Sequence, residues 1–166
     1  LSIAEIGALS ERRIALLVDP HMSGLPAFLV KESGLNSGFM MVQIVAAALA
    51  SENKTLAHPA SVDSLPTSAN QEDHVSMATF AASRLHQMID NVAGIVAIEL
   101  LSAAQGIDFH HPKESSPLLK DSHARIRELS ARFETDRSLK PDVDGVAELI
   151  ESGAFYAQCA DVLPSA

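Results

Sequence analysis

The stretch that decides the fold class is FMMVQIVAAALA, residues 39–50, in which Gln43 is the only polar residue. A helix that is apolar on every side is buried against other helices, whereas a surface helix keeps one polar face. The small side chains of Ala46, Ala47, Ala48 and Ala50 allow those helices to approach closely. We therefore predict a helix over residues 37–56 that is buried on all sides, with packing partners that include neighbouring subunits.

Two further helices are predicted on either side of this segment. Apolar residues at helical spacing over residues 3–18 indicate a first helix that stops before Asp19-Pro20. Residues 19–36 hold two prolines and two glycines, and residues 58–69 hold two prolines, so both stretches are predicted to be loops. From residue 70 to about residue 108 no proline interrupts the pattern, which predicts a helix of about 35 residues or more, ~50 Å long.

The composition becomes more polar after Pro112. Ser116-Pro117 is a typical start for a surface helix that reaches about Arg132, and a last short helix is predicted over residues 141–153. The chain is 47% hydrophobic but only 4% aromatic, with no Trp, as expected of closely packed aliphatic helices. We predict an all-α fold, with a long-helix bundle over residues 1–111 and a smaller helical appendage over residues 112–166.

Charge and cysteine content limit the classes of partner. A formal net charge of −9 and a pI near 5.1 argue against nucleic acid and anionic membrane surfaces, which are bound by clustered Lys and Arg. The single Cys159 cannot form an internal disulfide. No run of about 18 apolar residues and no leader pattern is recognised, so we predict a cytoplasmic protein. Because a helical pattern begins almost at Leu1, we also expect the chain to be part of a longer protein.

The polar stretch TSANQEDHVSM, residues 67–77, is the first candidate site. If Glu72 lies in the first turn of the long helix, free backbone N–H groups would hold its carboxylate ionised, ready to bind an ammonium group or accept a proton. The alternative, which spacing alone favours, is that Ser68 or Asn70 caps the helix and that Glu72 and Asp73 only complement its dipole. The sequence leaves open whether Glu72 is a base or a binding group.

Other residues are weaker candidates. Phe39, which follows Gly38, could pack on the ring of a ligand, or it could belong to the core, which spacing alone favours. Glu99 lies within an apolar helix, where we expect it to form a structural ion pair with a partner such as an Arg. The seven histidines form no recognisable zinc motif, so no metal ligand is predicted.

Three strings together carry a family resemblance: GLNSGFM at residues 34–40, AHPASVDS at residues 57–64 and the stretch at residues 67–77. They resemble the carboxy-terminal part of the aromatic amino-acid ammonia-lyases, the family that includes the histidine ammonia-lyases. The resemblance covers nearly the whole chain and corresponds to about the last third of a family member. It implies an almost wholly helical fold, a homotetramer, and active sites built from more than one subunit.

The resemblance also implies a reaction. Family members form a 4-methylideneimidazol-5-one electrophile from an internal Ala-Ser-Gly tripeptide, which this sequence lacks, so the chain alone is expected to be inactive. By resemblance, Phe39 lines the substrate pocket, Glu72 contacts the substrate as base or binding group, and Asn70 and Gln71 support it. No residue of this chain is expected to bind the cofactor.

The string NQEDH, residues 70–74, resembles histidine and tyrosine ammonia-lyases, whereas plant-type phenylalanine ammonia-lyases have an amide in place of Glu72. The resemblance therefore favours elimination of ammonia from L-histidine to give trans-urocanate. Tyrosine or phenylalanine as the substrate, and a non-catalytic helical oligomerisation module, remain as alternatives.

Overall fold

The computed structural model describes residues 1–160, which contain seven α-helices and no β-strand. This confirms the predicted all-α fold. Two short 3-10 helices, Ala27–Leu29 and Ala60–Val62, lie in the loops before and after the third α-helix. The α-helices are α1 (Ser2–Val18), α2 (Pro20–Ser23), α3 (Met40–Leu56), α4 (Ala78–Phe109), α5 (Pro117–Leu129), α6 (Lys140–Glu151) and α7 (Tyr156–Cys159).

Helix α4 is the centre of the bundle, and α1, α3 and α6 all pack against it. Its side chains Ile95, Ile98 and Leu101 are at most 2% exposed. Small residues let the helices approach closely, since a Cβ on Gly7 of α1 would lie 3.2 Å from Ile95 and from Val92 of α4. The aliphatic core predicted from the composition is therefore assembled around one long helix.

Helix α4 also passes a simple test for a membrane span, which the sequence prediction did not anticipate. It has 32 residues, and its most apolar 18-residue window has a mean hydropathy of 1.5. Half of that window is buried inside the chain, and α1, α3 and α6 pack against the helix as a whole. The central helix of a helical core has the same length and composition as a membrane span, so these two properties alone do not distinguish them.

Within the single chain the helix over residues 37–56 is not buried on all sides, and its burial by neighbouring subunits stays a prediction. Helix α3 packs against α1 and α4 with one face, and its buried residues are Ala46, Ala50 and Asn53. On the other face Met41 and Ile44 are 58% and 51% exposed. The two packing partners within the chain therefore cover only part of the apolar circumference of α3.

The start of the long helix is also corrected. It begins at Ala78, eight residues after the predicted start at Asn70, and has 32 residues instead of 35 or more. Ser68, Ala69 and Asn70 have φ values of 53°, 56° and 65°, which are incompatible with a right-handed helix. The absence of proline made the pattern look continuous, although the local backbone leaves the helical region.

Most of the other predicted elements are confirmed. The first helix ends at Val18 as predicted, and α5 begins at Pro117, where the Ser116 hydroxyl accepts a hydrogen bond from the Leu119 N–H at 3.4 Å. The expected ion pair of Glu99 is also present, since its carboxylate lies 3.3 Å from Arg13 of α1. The division at residues 111 and 112 remains a prediction. Residues 161–166 of the predicted appendage lie outside the described residues.

The connection before α6 is attached to the start of α3 through one carboxylate. Asp136 accepts hydrogen bonds from the backbone N–H groups of Ser37 and Gly38 at 2.8 and 2.9 Å, and its own N–H donates to Asn36 Oδ1 at 3.2 Å. Gly38 is required in this turn, because its φ is 58° and a Cβ would clash with the carbonyl oxygen of Phe28. The turn therefore combines a position that only glycine occupies without strain with a carboxylate that holds two backbone N–H groups.

The Asp136 clasp predicts a specific acid sensitivity. The two backbone donors Ser37 and Gly38 lower the pKa of Asp136 from its ordinary value of 3.8. A carboxyl group whose pKa is lower in the folded state stabilises the fold above its unfolded pKa, and this contribution is lost as the pH falls through the folded pKa. We therefore expect the thermal midpoint to fall more steeply below about pH 4 in the unmodified chain than in Asp136→Asn. Asp63→Asn, at an exposed carboxylate, is the control and should keep the steep fall.

Candidate functional site

The site predicted from residues 67–77 is a closed loop between α3 and α4. Its base is clasped by one hydroxyl: Ser64 Oγ accepts from the Val75 N–H at 2.9 Å and donates to the Val75 carbonyl oxygen at 3.1 Å. Further out, the Thr67 N–H donates to the Glu72 carbonyl oxygen at 2.9 Å and the Glu72 N–H to Thr67 at 3.3 Å. Loops of this type, with close ends and internal bonds, hold a fixed backbone without a helix or strand.

The tip of this loop presents its side chains outward. Asn70, Gln71 and Glu72 are all exposed, and none of their side chains hydrogen-bonds to another of residues 1–160. The expectation that Glu72 occupies the first turn of a helix is wrong, because α4 begins six residues later, at Ala78. The loop therefore fixes the backbone of Glu72 through two hydrogen bonds and leaves both carboxylate oxygens available.

A cleft of about 400 Å³ lies beside the base of the loop. Its polar lining includes His58, Asp63, His74 and Arg84. Arg84 donates to the carbonyl oxygen of His58 at 3.1 Å and stacks on the ring of Phe80 at 4.8 Å, while its buried Nε has no partner among residues 1–160. The loop that holds Glu72 thus borders a polar cleft between the carboxyl end of α3 and the amino end of α4.

The structure places Phe39 in the core. Its side chain is 2% exposed, and its ring packs edge-to-face against Phe133 with 5.6 Å between the ring centroids. The Phe39 N–H donates to the carbonyl oxygen of Phe28 at 2.9 Å. Contact between Phe39 and a substrate ring stays a prediction, which this packing does not favour because residues of the same chain cover the ring.

Phe39 and Glu72 lie on either side of α3 in the sequence. Phe39 directly precedes this 17-residue helix, and Glu72 lies in the loop that follows it. At 1.5 Å per residue the helix is about 25 Å long. Because Phe39 is buried and Glu72 is exposed, the single chain does not present both side chains at one surface.

Sequence reasoning missed the residues that shape the loop. Ser64 and Val75 carried no signal in isolation, whereas Asn70 did, because asparagine adopts positive φ more readily than other non-glycine residues.

Within residues 1–160, no group of three or more His, Cys, Asp or Glu side chains is placed to hold a metal ion.

The Ser64 clasp leads to a prediction about the loop. In Ser64→Ala the N–H and carbonyl groups of Val75 lose their partner. We expect the free energy of loop opening to fall by about 1 kcal/mol, which raises the open population by a factor of about 5. Cleavage after Glu72 by a glutamate-specific protease should therefore be about 5-fold faster. Ser61→Ala is the matched control, since the exposed Ser61 hydroxyl makes no bond within residues 1–160. Equal cleavage of both variants would show that the clasp does not restrain the loop.

Comparison with known proteins identifies the class to which this bundle and loop belong. The family model described as aromatic amino acid lyase matches residues 1–128. Because that match covers more than half of the chain, the chain belongs to the aromatic amino acid lyase family.

Within this family, the chain is similar to histidine ammonia-lyases. The histidine ammonia-lyase of Desulfotalea psychrophila is 64% identical over 166 residues, covering 99% of this chain and 32% of the relative. That of Rhodospirillum rubrum is 63% identical over 157 residues, covering 95% of this chain and 30% of the relative. The chain therefore spans about a third of the length of the relatives it matches.

Solved structures agree with the sequence matches. The histidine ammonia-lyase from Trypanosoma cruzi superposes with a TM-score of 0.91 at 48% identity, covering 98% of this chain and 32% of that one. Tyrosine aminomutase from Streptomyces globisporus superposes with a TM-score of 0.88 at 35% identity, covering 96% of this chain and 31% of that one. The helical arrangement described above is therefore one that known family members share.

Proposed function

We propose that this chain is the carboxy-terminal segment of a histidine ammonia-lyase and that it supplies Glu72 to the active site. The observation that carries the proposal is the exposed, unpartnered carboxylate of Glu72 on a closed loop, in a chain 64% identical to a histidine ammonia-lyase over 99% of its length. The reaction is the non-oxidative elimination of ammonia from L-histidine, which gives trans-urocanate.

The role proposed for Glu72 follows from its placement. A carboxylate with both oxygens available can accept a proton from the substrate or hold the substrate ammonium group, and both roles require a fixed backbone. The two hydrogen bonds to Thr67 supply that restraint. Asn70 and Gln71, on the same loop tip, are proposed to support the substrate through their amide groups.

The electrophile must come from residues outside this chain. In the family it is the 4-methylideneimidazol-5-one group, which supplies electrophilic chemistry and forms from Ala-Ser-Gly. This sequence has Ser-Gly at four places, preceded by Met22, Glu32, Asn36 and Glu151 and in no case by Ala. The residues of this chain therefore do not fit the requirement for that group, and the segment is proposed to be inactive without the rest of the protein.

The homo-oligomer expected for the whole protein, a tetramer, also remains a proposal. Supporting it, α1, α3 and α4 expose large apolar side chains that no part of residues 1–160 covers. Large exposed apolar side chains of this kind are typical of a subunit interface. They include Ile6, Leu9, Met41, Ile44, Val45, Phe80, Leu85 and Ile89, which are between 43% and 59% exposed.

Two further points belong to the proposal. A cytoplasmic location is supported by the single cysteine, which suits a reducing compartment. Histidine is preferred over tyrosine as the substrate because the histidine ammonia-lyases compared above are 48% to 64% identical to this chain, whereas the tyrosine aminomutase is 35% identical.

A substrate panel tests the proposed activity. A full-length protein of the relatives' length that carries this chain would be given L-histidine, L-tyrosine or L-phenylalanine, and the conjugated product followed by ultraviolet absorbance. We expect product from L-histidine with a kcat/KM at least 100-fold higher than for the other two. Preference for tyrosine or phenylalanine would overturn the substrate assignment, and no product from any of the three would favour a non-catalytic oligomerisation module.

A further inference from the structure

A second cleft, of about 540 Å³, lies between the carboxyl end of α4 and helix α5. Its lining is rich in cations for a protein whose net charge is −9. Four Lys and Arg residues line it, against two carboxylates, so the cleft carries a formal charge of +2 with its histidines neutral. These residues are Lys113, Lys120, Arg127, Arg132, Asp108 and Glu114.

Both carboxylates are already paired inside the cleft. Asp108 lies 2.9 Å from Arg127 and 2.9 Å from the His123 ring, and Glu114 lies 2.9 Å from Lys120. The other two cations have no ion pair with residues 1–160. Lys113 makes no side-chain hydrogen bond there, and the Arg132 guanidinium is placed over the Phe109 ring at 5.3 Å. The excess positive charge of the cleft therefore resides on Lys113 and Arg132.

The electrostatics of Arg127 reflect this excess of positive charge. Burial lowers the pKa of Arg127, the Asp108 carboxylate opposes that change, and the positive charges of Arg132 and Arg137 lower it further. The Arg127 Nε is also buried without a partner among residues 1–160. Arg137 is already paired with Asp142, so a second anion in the cleft would relieve the repulsion that remains between Arg127 and Arg132.

We propose that this cleft is a binding site for a small organic oxyanion. A carboxylate or phosphate group of the ligand pairs with Lys113 and Arg132, since planar guanidinium and ammonium groups are the common partners of both anions. The apolar part of the ligand lies against Ile107 and Leu119, which line the same cleft and are 36% and 56% exposed. The volume exceeds what an inorganic ion alone requires and lies within the usual range for small-molecule sites.

Calorimetric titration of the full-length protein tests the site. Succinate and inorganic phosphate are the two probes, at constant ionic strength maintained with sodium chloride. The test variant is the double substitution Lys113→Gln and Arg132→Gln. The control is Arg12→Gln with Lys31→Gln, which removes the same charge from two exposed residues that do not line the cleft.

We expect saturable binding of at least one probe, at least 10-fold weaker in the test variant and within 2-fold of the unmodified protein in the control. Saturation by succinate alone identifies a carboxylate ligand, by phosphate alone a phosphate ester, and by both the shared oxyanion chemistry. Saturation by neither probe, or equal weakening in both variants, would overturn the proposal.

Lysine footprinting of the unmodified protein gives a second measurement that does not depend on the folding of a variant. The saturating probe should slow acetylation of Lys113 at least 3-fold and leave acetylation of Lys31 unchanged, as read by mass spectrometry. Unchanged labelling of Lys113 would overturn the proposal.

Discussion

Replacing Glu72 with Gln is expected to lower kcat for L-histidine by about 10²- to 10⁴-fold in the full-length protein, if the carboxylate accepts a proton during the elimination. The substitution preserves shape and removes only the charge and basicity. If Glu72 instead binds the substrate ammonium group, KM should rise as well, because an interaction present in the ground state is lost. Steady-state kinetics over a range of L-histidine concentrations separates these two roles.

The structure supplies a control for this experiment. Asp73→Asn removes the same charge from the adjacent exposed position on the same loop. Glu72→Gln should also leave the thermal midpoint unchanged, because the hydrogen bonds that close the loop involve the backbone of Glu72 and not its side chain. If Glu72→Gln retained activity within 3-fold of the unmodified protein, or if Asp73→Asn lost as much activity, the role assigned to Glu72 would be wrong.

The largest expected effect on stability is at Gln105, which is fully buried in α4. Its amide N–H₂ donates to the carbonyl oxygens of Leu29 and Phe133 at 3.0 and 2.7 Å, and its carbonyl oxygen accepts from the Phe133 N–H at 3.0 Å. Gln105→Leu leaves these three backbone groups buried without partners, each costing about 1–3 kcal/mol. We expect the free energy of unfolding to fall by about 4 kcal/mol in a urea titration.

The matched control is Gln87→Leu, on the same helix. Gln87 is exposed and donates to Glu52 at 3.0 Å, so its removal should change the free energy of unfolding by no more than about 0.5 kcal/mol. If the two variants lost similar stability, Gln105 would not be the hub that joins the loop before α3 and the segment before α6 to α4.

The extent to which the sequence predicted this structure depends on how local each feature is. Helix α1 and the start of α5 were predicted closely, because the proline and capping signals that set their ends lie within a few residues. The start of α4 was not, because positive φ at Ser68, Ala69 and Asn70 depends on loop closure between Thr67 and Glu72. Neither the helical spacing of apolar residues nor the absence of proline indicates whether a loop closes in this way.

The candidate site shows the same limit. Glu72 was selected by family resemblance and by the density of polar groups around it, and its place on an exposed loop tip is compatible with that choice. The physical reason first considered for it, a helix amino terminus, does not apply. Gln105 went unnoticed as a structural hub, although a single amide within the apolar end of α4 was visible in the sequence; its partners at Leu29 and Phe133 are 76 and 28 residues away. Contacts between residues so far apart in the sequence are identified only from the folded structure.

The apolar circumference of α3 gives a further case. Its composition predicts a helix that should not face water, whereas the chain alone covers only one side of it. A single chain shows which side chains of α3 are exposed, but it does not show which residues of another subunit would contact them.

The contribution of this chain to a histidine ammonia-lyase is tested by urocanate formation from L-histidine, followed by ultraviolet absorbance, in three proteins side by side. These are the full-length protein that carries this chain, its Glu72→Ala variant, and the 166-residue chain alone. We expect product from the first and none above background from the other two. Urocanate formation by the isolated chain, or undiminished activity in Glu72→Ala, would contradict this expectation.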